Sequence, residues 1–82
     1  MLVYMMIRTY RVILEPDENN TFHAFVPALP GCHTWGKTIA DAKKNIKDAM
    51  QLYVADVIEA GESVPDEQSF DTFETVMFPA AV

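Results

Sequence analysis

Thr21-Phe22-His23-Ala24-Phe25-Val26-Pro27-Ala28-Leu29-Pro30-Gly31-Cys32-His33-Thr34-Trp35-Gly36-Lys37-Thr38 decides the fold. Residues 21–26 read as a strand, built largely from β-branched and aromatic side chains. Pro27 and Pro30 each remove a ladder donor, and Gly31 permits a positive φ, so the chain breaks here. Cys32–Trp35 then reads as a short strand stopped by Gly36. Thr38 is placed to cap a helix, with Asp41 at the third helical position of a capping box.

Working outward, Ile39, Ala42, Ile46, Ala49, Met50, Tyr53, Val54, Val57 and Ile58 recur at or beside spacings of three and four. That is one apolar stripe over almost six turns, a helix of roughly 33 Å that Gly61 ends. Upstream, Tyr10–Leu14 reads as a strand reaching back towards Val3. Asp17-Glu18-Asn19-Asn20 is turn chemistry, because Asp and Asn tolerate left-handed backbone and bond their own main chain. Downstream, Glu62–Asp71 is a polar connector, and Thr72–Phe78 reads as a fourth strand ended by Pro79. The expected order is β-β-β-α-β, an α/β chain of the α+β type. It forms a small, mainly antiparallel sheet with one long helix on one face.

Strand alternation separates two faces. Tyr10, Val12, Leu14, Phe22, Ala24, Val26, Cys32 and Thr34 suit the face under the helix. Arg11, Ile13, His23, Phe25, His33 and Trp35 fall on the other, and the register expected between the second and third strands pairs Phe25 with His33 and His23 with Trp35. One helix covers one face. The second is therefore an expected interface for self-association or for a partner.

The chain has 82 residues and a formal charge of −6; half its residues are hydrophobic, enough for one folded domain rather than a disordered tail. Cys32 is the only cysteine. No internal disulfide is possible, and a reducing cytoplasm is the expected compartment. The apolar opening Met1–Ile7 is too short for a membrane span or a signal-peptide core. Residues 1–47 carry six basic and four acidic side chains, whereas residues 48–82 carry eight acidic and no Lys or Arg. Such a chain repels nucleic-acid phosphate and suits a basic partner protein, although charge of this kind also serves plain solubility.

Chemistry is sparse. Cys32 and His33 are adjacent, but neighbours on a strand point to opposite faces, so they form no thiol–imidazole dyad. His23 and His33 share a face without a third ligand, and no metal or cofactor is expected. Glu15 and Glu74 alone cannot assemble a two-metal nuclease site. Aromatics on a sheet can stack single-stranded RNA, but the surrounding charge has the wrong sign. Lys43, Lys44 and Lys47 read as a solvated helix face. A non-enzymatic binding module remains.

The run Tyr10–Asp17, the strand at Phe22–Ala24 and the segment Val26–Thr38, with its Pro-x-Leu-Pro-Gly-Cys and Gly-x-Thr elements, resemble the HicB antitoxin family. So do the helix with Ala42, Asn45, Ile46, Ala49 and Tyr53 and the exit Gly61–Pro65. The resemblance implies a partial ribonuclease H-like fold without catalytic carboxylates. It also implies a partner, HicA, a small basic toxin with a double-stranded-RNA-binding-like fold that cleaves messenger RNA. Inhibition in the family works by occluding the toxin's catalytic or RNA-binding surface. Many members carry a second, C-terminal DNA-binding domain. In this sequence a single domain over residues 1–82, with no direct DNA contact, is expected.

The resulting expectation is an antitoxin that assembles as a homodimer or higher homo-oligomer. The alternative is an orphan self-assembling or small-molecule-binding domain. His23, Phe25, His33 and Trp35 are the candidate interface, and Glu15, Asp17 and Glu18 the candidates to meet basic toxin residues. Ala24, Pro30, Gly31, Cys32, Gly36 and Thr38 are expected to shape the scaffold.

Overall fold

The computed structural model describes residues 6–81. Strand β1 spans Ile13–Asp17, β2 Thr21–Phe25 and β3 His33–Gly36, followed by helix α1 over Ile39–Glu59. The strands form one antiparallel sheet in the order β1-β2-β3. The α+β class and the single helix on one face stand as expected. Phe25 opposes His33 and His23 opposes Trp35, the register expected for a hairpin over Pro27–Gly31.

The turn between β1 and β2 is built on Asn19 and Asn20, with φ of 61° and 58°. Both occupy the left-handed region that Asn tolerates better than most residues. Asp17 carries the pairing three residues further than expected, opposite Thr21. Pro16 is accommodated because β1 is an edge strand.

The loop after β2 contributes to the core. Leu29 N–H donates to Val26 O at 3.0 Å and Cys32 N–H to Leu29 O at 2.9 Å, two tight turns in succession. They drive Leu29 inward, where it is fully buried with Ala24, Val26, Cys32, Ala42 and Ile46. Burying Leu29 and Val26 contributes about 1.5–3 kcal/mol each. Tyr10, Val12, Leu14, Phe22, Ala49, Met50, Tyr53 and Val54 pack around this cluster. The stripe's ends, Ile39 and Ile58, stay half exposed.

Helix α1 starts where the capping box places it. Thr38 Oγ1 accepts from Asp41 N–H at 3.0 Å. It ends in a Schellman motif, with Gly61 N–H donating to Ile58 O and Glu62 N–H to Val57 O, both at 3.0 Å.

Two expectations are corrected. The first strand does not reach back from Tyr10 towards Val3: residues 6–12 carry no strand, and residues 1–5 lie outside the described residues. Thr72–Phe78 is not a fourth strand; residues 62–81 carry no regular secondary structure beyond the turn at Gly61. The connector is tied to the start of the sheet by Tyr10 Oη–H donating to Pro65 O, Arg11 N–H donating to Glu67 Oε1 at 2.7 Å, and an Arg11–Asp71 ion pair at 2.9 Å. Beyond Asp71 the chain leaves the body, and a strand without a ladder partner has nothing to hold it.

Gly36 is required for a reason other than positive φ. A Cβ there would lie 2.3 Å from the Ala42 backbone nitrogen and 2.7 Å from its Cα, because α1 presses its first turn onto β3. Gly36→Ala forces helix and sheet apart and is expected to cost about 1–3 kcal/mol. Urea denaturation of the two chains measures it, and an unchanged midpoint would contradict the contact.

Candidate functional site

The sheet face away from α1 is assembled in cross-strand rows. Side chains directly opposite one another in a ladder share a face. The pairings therefore give a row Ile13–Phe25–His33 and a row Glu15–His23–Trp35, with Asp17 opposite Thr21 at the turn end. The candidates from β2 and β3 and two of the acidic candidates from β1, separate on sequence grounds, thus form one surface. Ile13 belongs to it as well. The alternation of β1 carried that signal once the same parity was followed through Glu15 and Asp17.

The rings touch in series. His23 stacks on Phe25 with centroids 5.4 Å apart and lies tilted over Trp35 at 4.9 Å. His33 meets His23 and Trp35 edge-on at 5.3 and 5.0 Å. His23 Nε2 and His33 Nδ1 are 3.3 Å apart, one donating and the other accepting. Such contacts hold the rings as a rigid tile, so little side-chain entropy remains to be lost on binding. Trp35 is still 47% exposed.

Trp35 is anchored from both ends. Its indole Nε1–H donates to Asp17 Oδ2 at 2.7 Å, and its carbonyl accepts from Asn45 Nδ2 of α1 at 2.8 Å. Asp17 Oδ1 also accepts from Glu18 N–H at 2.8 Å. The indole hydrogen bond first, and then the Glu18 N–H, hold the Asp17 carboxyl below its ordinary pKa. Glu15 and Glu18 are exposed beside it. His23, Phe25, Pro30, Gly31, His33 and Trp35 border a shallow hollow at the loop end of this face.

The scaffold residues lie elsewhere. Ala24 and Cys32 are in the core under α1, and burial pushes the Cys32 thiol above its ordinary pKa, which keeps it protonated and unreactive. Gly31 has φ of 84°, Pro30 precedes it at the surface, Gly36 lies against Ala42, and Thr38 caps the helix. Among the described residues no group of three or more His, Cys, Asp or Glu is arranged to hold a metal ion. No helix among them is long and apolar enough to cross a membrane.

A carboxylate with a depressed folded-state pKa adds stability above its unfolded value and loses it as pH falls through the folded one. Acidification should therefore release the indole only below the ordinary 3.8. Trp35 is the sole tryptophan. Its fluorescence is expected to titrate with a midpoint below 3.8, and Asp17→Asn is expected to abolish that step. A midpoint at or above 3.8 in the wild-type chain would contradict the pairing.

Comparison with known proteins places this arrangement in context. Residues 10–77 match the family described as the HicB-like antitoxin of bacterial toxin-antitoxin systems. A UPF0150 protein of Synechocystis sp. is 41% identical over 61 residues, covering 74% of this chain and 77% of that protein. The crystal structure of the N-terminal domain of the Burkholderia pseudomallei antitoxin HicB superposes with a TM-score of 0.64 at 37% identity, covering 72% of this chain and 69% of that one. The longer Burkholderia pseudomallei HicB structure gives a TM-score of 0.66 at 35% identity over 79% of this chain and 48% of that one. With its three-stranded sheet, its single helix and a family match across most of its length, this chain belongs to the HicB-like antitoxin family of bacterial toxin-antitoxin systems.

Proposed function

We propose that the chain binds and neutralises a small basic toxin of the HicA type in the cytoplasm, covering the surface with which the toxin holds or cleaves RNA. The observation that carries this reading is the composition of the free sheet face. A rigid, exposed Trp35, backed by His23, Phe25 and His33, is bordered by Glu15, Asp17 and Glu18. Protein interfaces concentrate binding energy in such aromatic anchors, and an acidic border draws in a basic partner. A surface shaped for phosphate accepts carboxylates in its place, and the net charge of −6 extends the attraction beyond contact.

The role is binding rather than catalysis, and it needs no cofactor. The hollow beside His33 and Pro30 is shallow, which fits a protruding protein side chain better than an enclosed small ligand.

The test is co-purification and calorimetry with a HicA-type toxin. The Phe25→Ala, Trp35→Ala double variant should keep the wild-type helical signal, since neither residue belongs to the buried cluster. It should lose about 30-fold or more in affinity, the equivalent of about 2 kcal/mol for removing an interface anchor. Unchanged affinity would remove this face from the interface. Glu15→Gln with Glu18→Gln should mainly slow association and flatten its salt dependence. Stopped-flow rates at two ionic strengths measure that, and a dissociation-rate change alone would argue against steering.

A further inference from the structure

We propose that residues 72–78 of one copy add as a fourth strand to the open β1 edge of a second copy, which returns the same contact. This inference stands independently of the toxin. It rests on the segment that sequence patterning marks as a strand and that a single copy leaves without a partner.

The segment Thr72-Phe73-Glu74-Thr75-Val76-Met77-Phe78 has strand composition, yet Phe73 and Met77 are 98% and 97% exposed. Phe70, Val76 and Phe78 are also largely free. The chain reaches 68 Å along its longest axis, and its radius of gyration is 16.9 Å, against roughly 12 Å for a compact domain of this length. The largely exposed residues 72–78 form an arm. Its base is fixed to its own copy by the Arg11–Asp71 and Arg8–Asp66 ion pairs, at 2.9 and 3.5 Å. Residues after 71 therefore start at the β1 side of the sheet and point away from it.

The receiving edge is also present. β1 is an outer strand with a ladder on one side only, to β2, and the chain leading into it is met at Arg11 by the side chain of Glu67 rather than by another strand. A row of unpaired peptide groups is a template for another strand. The segment without a ladder and the strand with an open side belong to the same chain, which favours a second copy as the source. A basic toxin seated on the arm would leave every β1 edge open. A reciprocal exchange fills both edges and closes with two-fold symmetry.

Light scattering on the full chain over a micromolar concentration series, with sedimentation equilibrium, tests the exchange. The wild type is expected as a particle of two copies. Thr75→Pro and Val76→Pro each delete one N–H, and successive N–H groups of a strand point to opposite sides, so at least one of the two is expected to yield the single-copy mass. Phe73→Asp with Met77→Asp is expected to do the same through side chains alone. Circular dichroism should stay unchanged in all three, because these residues touch nothing in the core. A wild type of single-copy mass throughout would overturn the proposal. So would a dimer that survives all three variants, which would place the contact on another surface.

Discussion

The structure depends on one close approach. The first turn of α1 sits against β3 so tightly that no side chain fits between Gly36 and the Ala42 backbone. Ala24 of β2 and Ala42 of α1 are fully buried in the same core cluster. Thr38 caps the helix two residues after Gly36, so the chain turns from strand to helix with almost no slack. Asn45, one turn further on, donates to the Trp35 carbonyl. The helix is thereby positioned relative to the very strand that presents the exposed aromatic.

A sheet covered on one side only has two unlike faces. The covered face closes a small core, to which the β2–β3 loop contributes Leu29. The open face has no helix to satisfy it. Its residues satisfy one another through ring contacts, the His23–His33 hydrogen bond and the bridge from Trp35 to Asp17. The result is a surface that is apolar yet ordered, bordered by carboxylates that the turn and β1 supply. A functional reading as a binding module follows from this combination, and the family to which the chain belongs is one of antitoxins.

The acidic residues from Asp66 onward have two structural destinations. Asp66, Glu67 and Asp71 are engaged by Arg8 and Arg11, which ties the connector to the start of the sheet. Glu74 lies beyond that tether, on an arm whose apolar side chains are largely exposed. Charge asymmetry thus has a role inside the molecule as well as towards partners.

The sequence by itself determined what is local. Thr38 and Asp41 announced the helix start and Gly61 its end; Asn19 and Asn20 announced a left-handed turn. Alternation gave the two faces, and a hairpin over Pro27–Gly31 gave the β2–β3 register. Tertiary structure decided what depends on distance between elements. Leu29 looked like part of a loop until two consecutive turns folded it inward. Gly36 looked like a strand stop and proved to be a contact with the helix backbone. Glu15 and Asp17 joined the aromatic face only once β1 was in register with β2. The segment Thr72–Phe78 has the composition of a strand, but composition supplies no ladder partner. A strand exists only where a neighbour accepts its hydrogen bonds, and that neighbour is set by the arrangement of chains in space, not by the segment.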